Sequence, residues 1–202
     1  MDYIGILKLI CCIEKVNKEN HTHELISDVK KGLLKIEYEC KNISDFNKSS
    51  LTSAVPILIT ALKDYLILHE PLKTSALILA YEKTNELINY HNSYRNILSK
   101  DELEFCCCMG HWGRFIILSD SCEDKQLIFK EIKDCFNANT YIAGKLFVNE
   151  LTNEHENRLE ILNTRKVYSN RPKEIQCLLI SEALLELKES IITHIGTKYE
   201  IR

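Results

Sequence analysis

Three adjacent cysteines, Cys106, Cys107 and Cys108, run into Met109-Gly110-His111, and thiolate with imidazole is a common donor set for zinc. Consecutive helical residues point about 100° apart, so three neighbouring thiols cannot converge on one ion. Cys107 and His111 share a face at i and i+4, but two ligands do not make a zinc site. The expected role of these thiols is core packing, the habit of free cysteine. His21-Thr22-His23 reads as a solvated polar turn. The six glycines are scattered, so no loop cradles a phosphate, and no Gly-x-Ser-x-Gly elbow occurs. Glu182 and Glu186 stand at helical spacing, where solvated carboxylates are expected. Nothing forms a catalytic constellation, and the expectation is a non-catalytic protein with no metal and no cofactor.

The elements that position these residues follow from composition. The chain has 202 residues, 45 % hydrophobic and 27 % charged, which suits one globular domain over 1–202 with an unassigned tail at 197–202. With 6 glycines and 3 prolines it lacks the turn formers of an all-β sandwich. The net charge of -3 and pI near 6.2 come without a basic stripe, which argues against nucleic acid. The longest uncharged apolar run, Ala54 to Leu62, is far short of the ~20 residues of a membrane span. Tyr3 to Ile13 lacks a basic n-region and a cleavage site and carries Lys8, so it reads as an amphipathic helix rather than a leader. Nine cysteines, three of them consecutive, point to a reducing cytoplasm or nucleus.

Helical periodicity predicts helices at about 2–17, from Ser27 into the 40s, and at about 52–68, 72–97, 101–119, 124–149, 154–168 and 173–194. Leu77, Leu79, Tyr81, Leu87, Ile88 and Tyr94 form the expected stripe of the 72–97 helix. Ile175, Leu178, Leu179, Ala183, Leu184 and Leu187 form that of the last, with Gly196 as its stop. The expected fold is an all-α antiparallel bundle of seven to eight helices, with no fixed-period repeat.

Three segments carry more. Leu33-Leu34-Lys35-Ile36-Glu37-Tyr38 is followed by Lys48-Ser49-Ser50; Met109 to Phe115 includes Trp112-Gly113-Arg114; and Glu150 to Asn163 leads into a last helix with Glu182-Ala183-Leu184-Leu185-Glu186-Leu187. Their order and separation resemble the 14-3-3 family, collinearly from Tyr3 to about Ile191, with that family's first and last helices absent. The resemblance implies a signalling adaptor that takes phosphoserine or phosphothreonine peptides in a concave groove. A Lys, two Arg and a Tyr would hold the phosphate, and Asn residues the peptide backbone.

Carried over by position, Arg114 matches one phosphate-binding arginine and Phe115 stands in place of the tyrosine. Glu39 occupies the lysine position, and the other arginine falls on Phe46 or Lys48. The asparagine maps to Asn163 or Thr164, and an apolar wall position to Val167. A carboxylate about 4 Å from a phosphate costs roughly 4 kcal/mol at an effective dielectric of 20. Phosphate recognition is therefore expected to be weakened or lost. The implied partners are protein or phosphoprotein peptides, and the implied assembly is a monomer or an atypical weak dimer. A tetratricopeptide-type scaffold binding unphosphorylated peptides is the competing expectation, and a metal or redox protein using the cysteines a further one.

Overall fold

The computed structural model describes residues 51–89, 91–121 and 124–198. The helices expected at 2–17 and from Ser27, together with Glu39, Phe46 and Lys48, lie outside the described residues. Among those described there are seven α-helices and no strand.

A 3-10 turn at Leu51–Ser53 leads into α1, Ala54–Ile67. Pro56 falls in its first turn, where no backbone donor is needed. Val55, Leu58, Ile59 and Leu62 are fully buried. The short connection from Leu68 to Pro71 then returns the chain along α2, Leu72–Asn89, antiparallel to α1.

Of the expected apolar stripe of α2 Leu87 is buried, but the other buried residues differ from it. They are Ala76, Ala80 and Thr84, while Leu79 and Tyr81 are 40 % and 47 % exposed. Small residues are selected there because the next helix, α3 (Lys100–Ser121), comes unusually close. A Cβ on Gly110 would lie 2.7 Å from Ile88 Cγ1 and 3.2 Å from the Thr84 carbonyl oxygen. On Gly113 it would lie 2.9 Å from Thr84 Cγ2. The α2 helix also stops at Asn89 rather than near 97, and a 3-10 turn at His91–Tyr94 follows.

Ser99 and Glu102 form a reciprocal cap at the start of α3: the Glu102 N–H donates to Ser99 Oγ (3.3 Å) and the Ser99 N–H to Glu102 Oε2 (2.9 Å). Phe105, Cys106, Cys108, Met109 and Trp112 are at most 1 % exposed, which makes α3 the central helix of the core. The burial of Cys106 and Cys108 agrees with the core role expected for these thiols.

The single helix expected over 124–149 is two. Asp124 caps α4, Lys125–Ala138, by accepting from the N–H groups of Gln126 and Leu127. At Asn139 the backbone turns extended (φ −163°, ψ 114°), and its side chain accepts from the Ile142 N–H to start α5, Thr140–Leu146. One residue thus closes one helix and caps the next. Thr152 caps α6, Asn153–Thr164, which ends at Arg165 in the left-handed region (φ 54°).

The last helix, α7, covers Lys173–Lys198, and Gly196 does not stop it. Gly196 is buried within the helix, where a Cβ would meet the Phe129 ring at 3.0 Å. Its expected stripe is corrected in part, for Leu187 is buried as expected. Ile175 and Leu178 are 46 % and 59 % exposed, and the buried residues are Leu187, Ile191, Ile195 and Gly196. Only the second half of α7 is sealed into the core. Packing among α1 to α4 follows chain order, α5 contacts α3 and α4, and α7 packs on α6 and α4.

Candidate functional site

Cys107, His111 and Arg114 fall at i, i+4 and i+7 of α3 and so line one face of it. The close approach permitted by Gly110 and Gly113 brings Tyr81, Thr84 and Asn85 of α2 to that face. From the other side α4 contributes Glu131, buried like His111.

Glu131 is the hub. Its Oε2 lies 2.7 Å from His111 Nδ1, and its Oε1 lies 3.8 Å from Arg114 Nη1. The guanidinium is held further by Nη2, which donates to Asn85 Oδ1, and by Nε, which donates to Thr84 Oγ1 at 3.4 Å. Thr84 Oγ1 in turn donates to the Tyr81 carbonyl oxygen at 2.7 Å. The Tyr81 ring centroid stands 5.6 Å from the guanidinium carbon, within reach of a cation–π contact. The Arg114 side chain is only 18 % exposed.

Burial alone would push the His111 imidazole below its ordinary value. Hydrogen bonds and charge attraction from Cys107 and Glu131 outweigh that and raise its pKa from 6.5 to about 9. His111 is therefore an imidazolium at neutral pH, and Glu131 faces two cations. A raised folded-state pKa contributes stability that is fully present below pH 6.5 and is lost as pH rises through about 9. The rise corresponds to about 3 kcal/mol. Urea denaturation at pH 6 and pH 10 should show a loss of about that size in the parent beyond any loss in His111→Gln. Equal losses in both proteins would show that His111 carries no such charge.

The other expected groove residues are dispersed. Phe115 is buried, its ring edge-to-face with Phe147 at a centroid distance of 4.9 Å, so it is a core residue. Asn163 and Thr164 are exposed at the end of α6, and Thr164 Oγ1 donates to the Ile161 carbonyl oxygen at 2.8 Å. Val167, 45 % exposed, lies in the 3-10 turn that follows. Their helix packs on α5 and α7, whereas the partners of Arg114 come from α2 and α4.

Models of known protein families, curated proteins and solved structures give no match to this chain. Among the described residues no group of three or more His, Cys, Asp or Glu side chains could hold a metal ion. No described helix is long and apolar enough to cross a membrane.

Glu131, Thr84 and Asn85 were not legible as site residues. Glu131 sits in a helix that also carries Lys125, Lys130, Lys133 and Asp134, and nothing local marks it as the charged residue that turns inward. The only available signal was the shared face of Cys107 and His111.

Proposed function

We propose that the chain is a non-catalytic, 14-3-3-like helical adaptor that binds protein segments and has lost phosphate selectivity at Arg114. The observation that supports the loss is the internal commitment of that arginine to Asn85, Thr84 and Glu131. A phosphate arriving at Arg114 would have to displace these partners and would meet the Glu131 carboxylate beside it. Each charge-assisted bond to phosphate is worth about 1.5–3 kcal/mol, which exchange for existing bonds largely cancels. Fluorescence titration with a generic phosphoserine peptide is expected to give a Kd weaker than ~100 μM, or under about 5.5 kcal/mol of binding. A low-micromolar, phosphate-dependent affinity that Arg114→Ala abolishes would overturn this reading.

The second reading, a tetratricopeptide-type scaffold for unphosphorylated peptides, has one observation in its favour. From α1 to α4 each long helix packs chiefly on the next in the chain, which is the neighbour order of stacked helix pairs.

A further inference from the structure

The seam between α6 and α7 is thin, and a histidine stands in it. The 12 residues of α6 put it at the length where an isolated helix is marginal in water, and it buries only His155, Leu159 and Leu162. Its hold on the fold therefore rests on that packing and on its N-terminal cap. The cap is reciprocal. The His155 N–H donates to Thr152 Oγ1 at 3.3 Å, and the Thr152 N–H donates to His155 Nδ1 at 3.5 Å. The third helical position, where a Glu or Gln is the usual return acceptor, is here a histidine.

The same ring reaches across the seam. Its Nε2 lies 3.1 Å from Ser190 Oγ of α7, and the His194 ring of α7 stands edge-on at a centroid distance of 5.4 Å. Nδ1 accepts from a backbone N–H only while it carries no proton, so the cap requires the neutral ring, with its proton on Nε2 and donated to Ser190. An imidazolium would set one N–H against another and place a charge at a residue 8 % exposed. Burial, and after it His194, hold the His155 pKa below its ordinary 6.5. On α6 itself Glu154 favours the charged ring and Arg158 opposes it. From α7, Glu186 lies 3.9 Å from Arg158, Lys198 is tied to Glu150 ahead of α6, and Glu189 beside Ser190 is exposed. From α5, Lys145 pairs with Glu160 at 3.0 Å, and the turn after α6 brings Lys166. Glu150, Glu160 and Glu186 thus have cations of their own.

We infer that this seam is a pH-operated joint: neutral His155 caps α6 and fastens it to Ser190, and protonation of the ring on acidification removes the cap and frees α6 from α7. A base whose folded-state value is depressed contributes stability that is fully present above pH 6.5 and is lost as pH falls through that lower value. The response is opposite in sign to that of His111, whose contribution is lost as pH rises.

The test is hydrogen exchange by NMR on the full chain at pH 7.5 and pH 5, read as protection factors, together with the imidazole nitrogen shifts of His155. Nδ1 is expected to be unprotonated at neutral pH, and the ring to titrate below 6.5. Protection of the α6 amides from Glu156 to Leu162 should fall about tenfold between the two pH values, while the α3 amides from Phe105 to Trp112 keep theirs. His155→Gln supplies an acceptor that does not titrate, and its α6 should hold its protection at pH 5 to within about twofold. Equal loss in the parent and His155→Gln, no loss in the parent, a proton on Nδ1 at neutral pH, or a midpoint at or above 6.5 would overturn the inference. The tautomer and midpoint in the parent protein decide it even if His155→Gln fails to fold.

Discussion

Trp112→Ala is expected to destabilise the protein by about 3–5 kcal/mol, the range for emptying a large aromatic from a packed core. Trp112 is fully buried at the middle of α3, the helix that α1, α2, α4 and α5 all touch. No neighbour can collapse into the space without moving one of these helices, which places the cost at the upper end. Urea denaturation reads the effect as a large fall in midpoint with little change in slope. The contrasting substitution is Val167→Ala on the exposed turn after α6, expected within about 0.5 kcal/mol of the parent. A Trp112→Ala midpoint as close to the parent as that of Val167→Ala would mean that the core is not centred on α3.

Glu131→Ala is expected to cost a comparable 3–5 kcal/mol for a different reason. Truncation leaves His111 and Arg114 as buried cations without their anion. The partner substitution separates charge from packing. If His111 and Glu131 act as a pair, the double variant His111→Ala with Glu131→Ala is less destabilised than the sum of the two singles by about 0.5–3 kcal/mol. Strict additivity would show that Glu131 matters only for the space it fills.

The all-helical character was legible because it rests on composition and period, and both survive any local surprise. Helix ends were less legible, and each miss has a local cause. Asn139 reads as one more polar residue in a helical window, yet its side chain can start a new helix. Gly196 reads as a stop, because sequence does not reveal that the Phe129 ring will occupy its Cβ position. On α2 the large residues Leu79 and Tyr81 outweighed Ala76, Ala80 and Thr84 in the apolar pattern. Yet it is the small ones that face α3, because close helix approach selects size rather than hydropathy. The site was half legible. Arg114 stood out, but its retention by Glu131, Thr84 and Asn85 depends on which charged residue of α4 turns inward. That is a fact of packing between helices, invisible at the scale of a motif.

The two glycines of α3 act as a lock on axial register. A slide of α3 along α2 by one turn, about 5.4 Å, is the smallest step that keeps the same helix faces together. Such a step would carry Gly110 and Gly113 past Thr84 and bring Cys106, Met109 or Ile117 to the point where even a Cβ has no room. A one-turn slide would place a glycine at only one of the two close-approach points, so a single register seats both Gly110 and Gly113 against α2. Arg114 is therefore held opposite Asn85 by the tight fit of the two glycines against Thr84, Leu87 and Ile88 as well as by its own hydrogen bonds. A one-turn ratchet between these two helices would crowd a larger side chain into at least one of the two glycine seats, so the pair acts as a fixed spacer between α2 and α3.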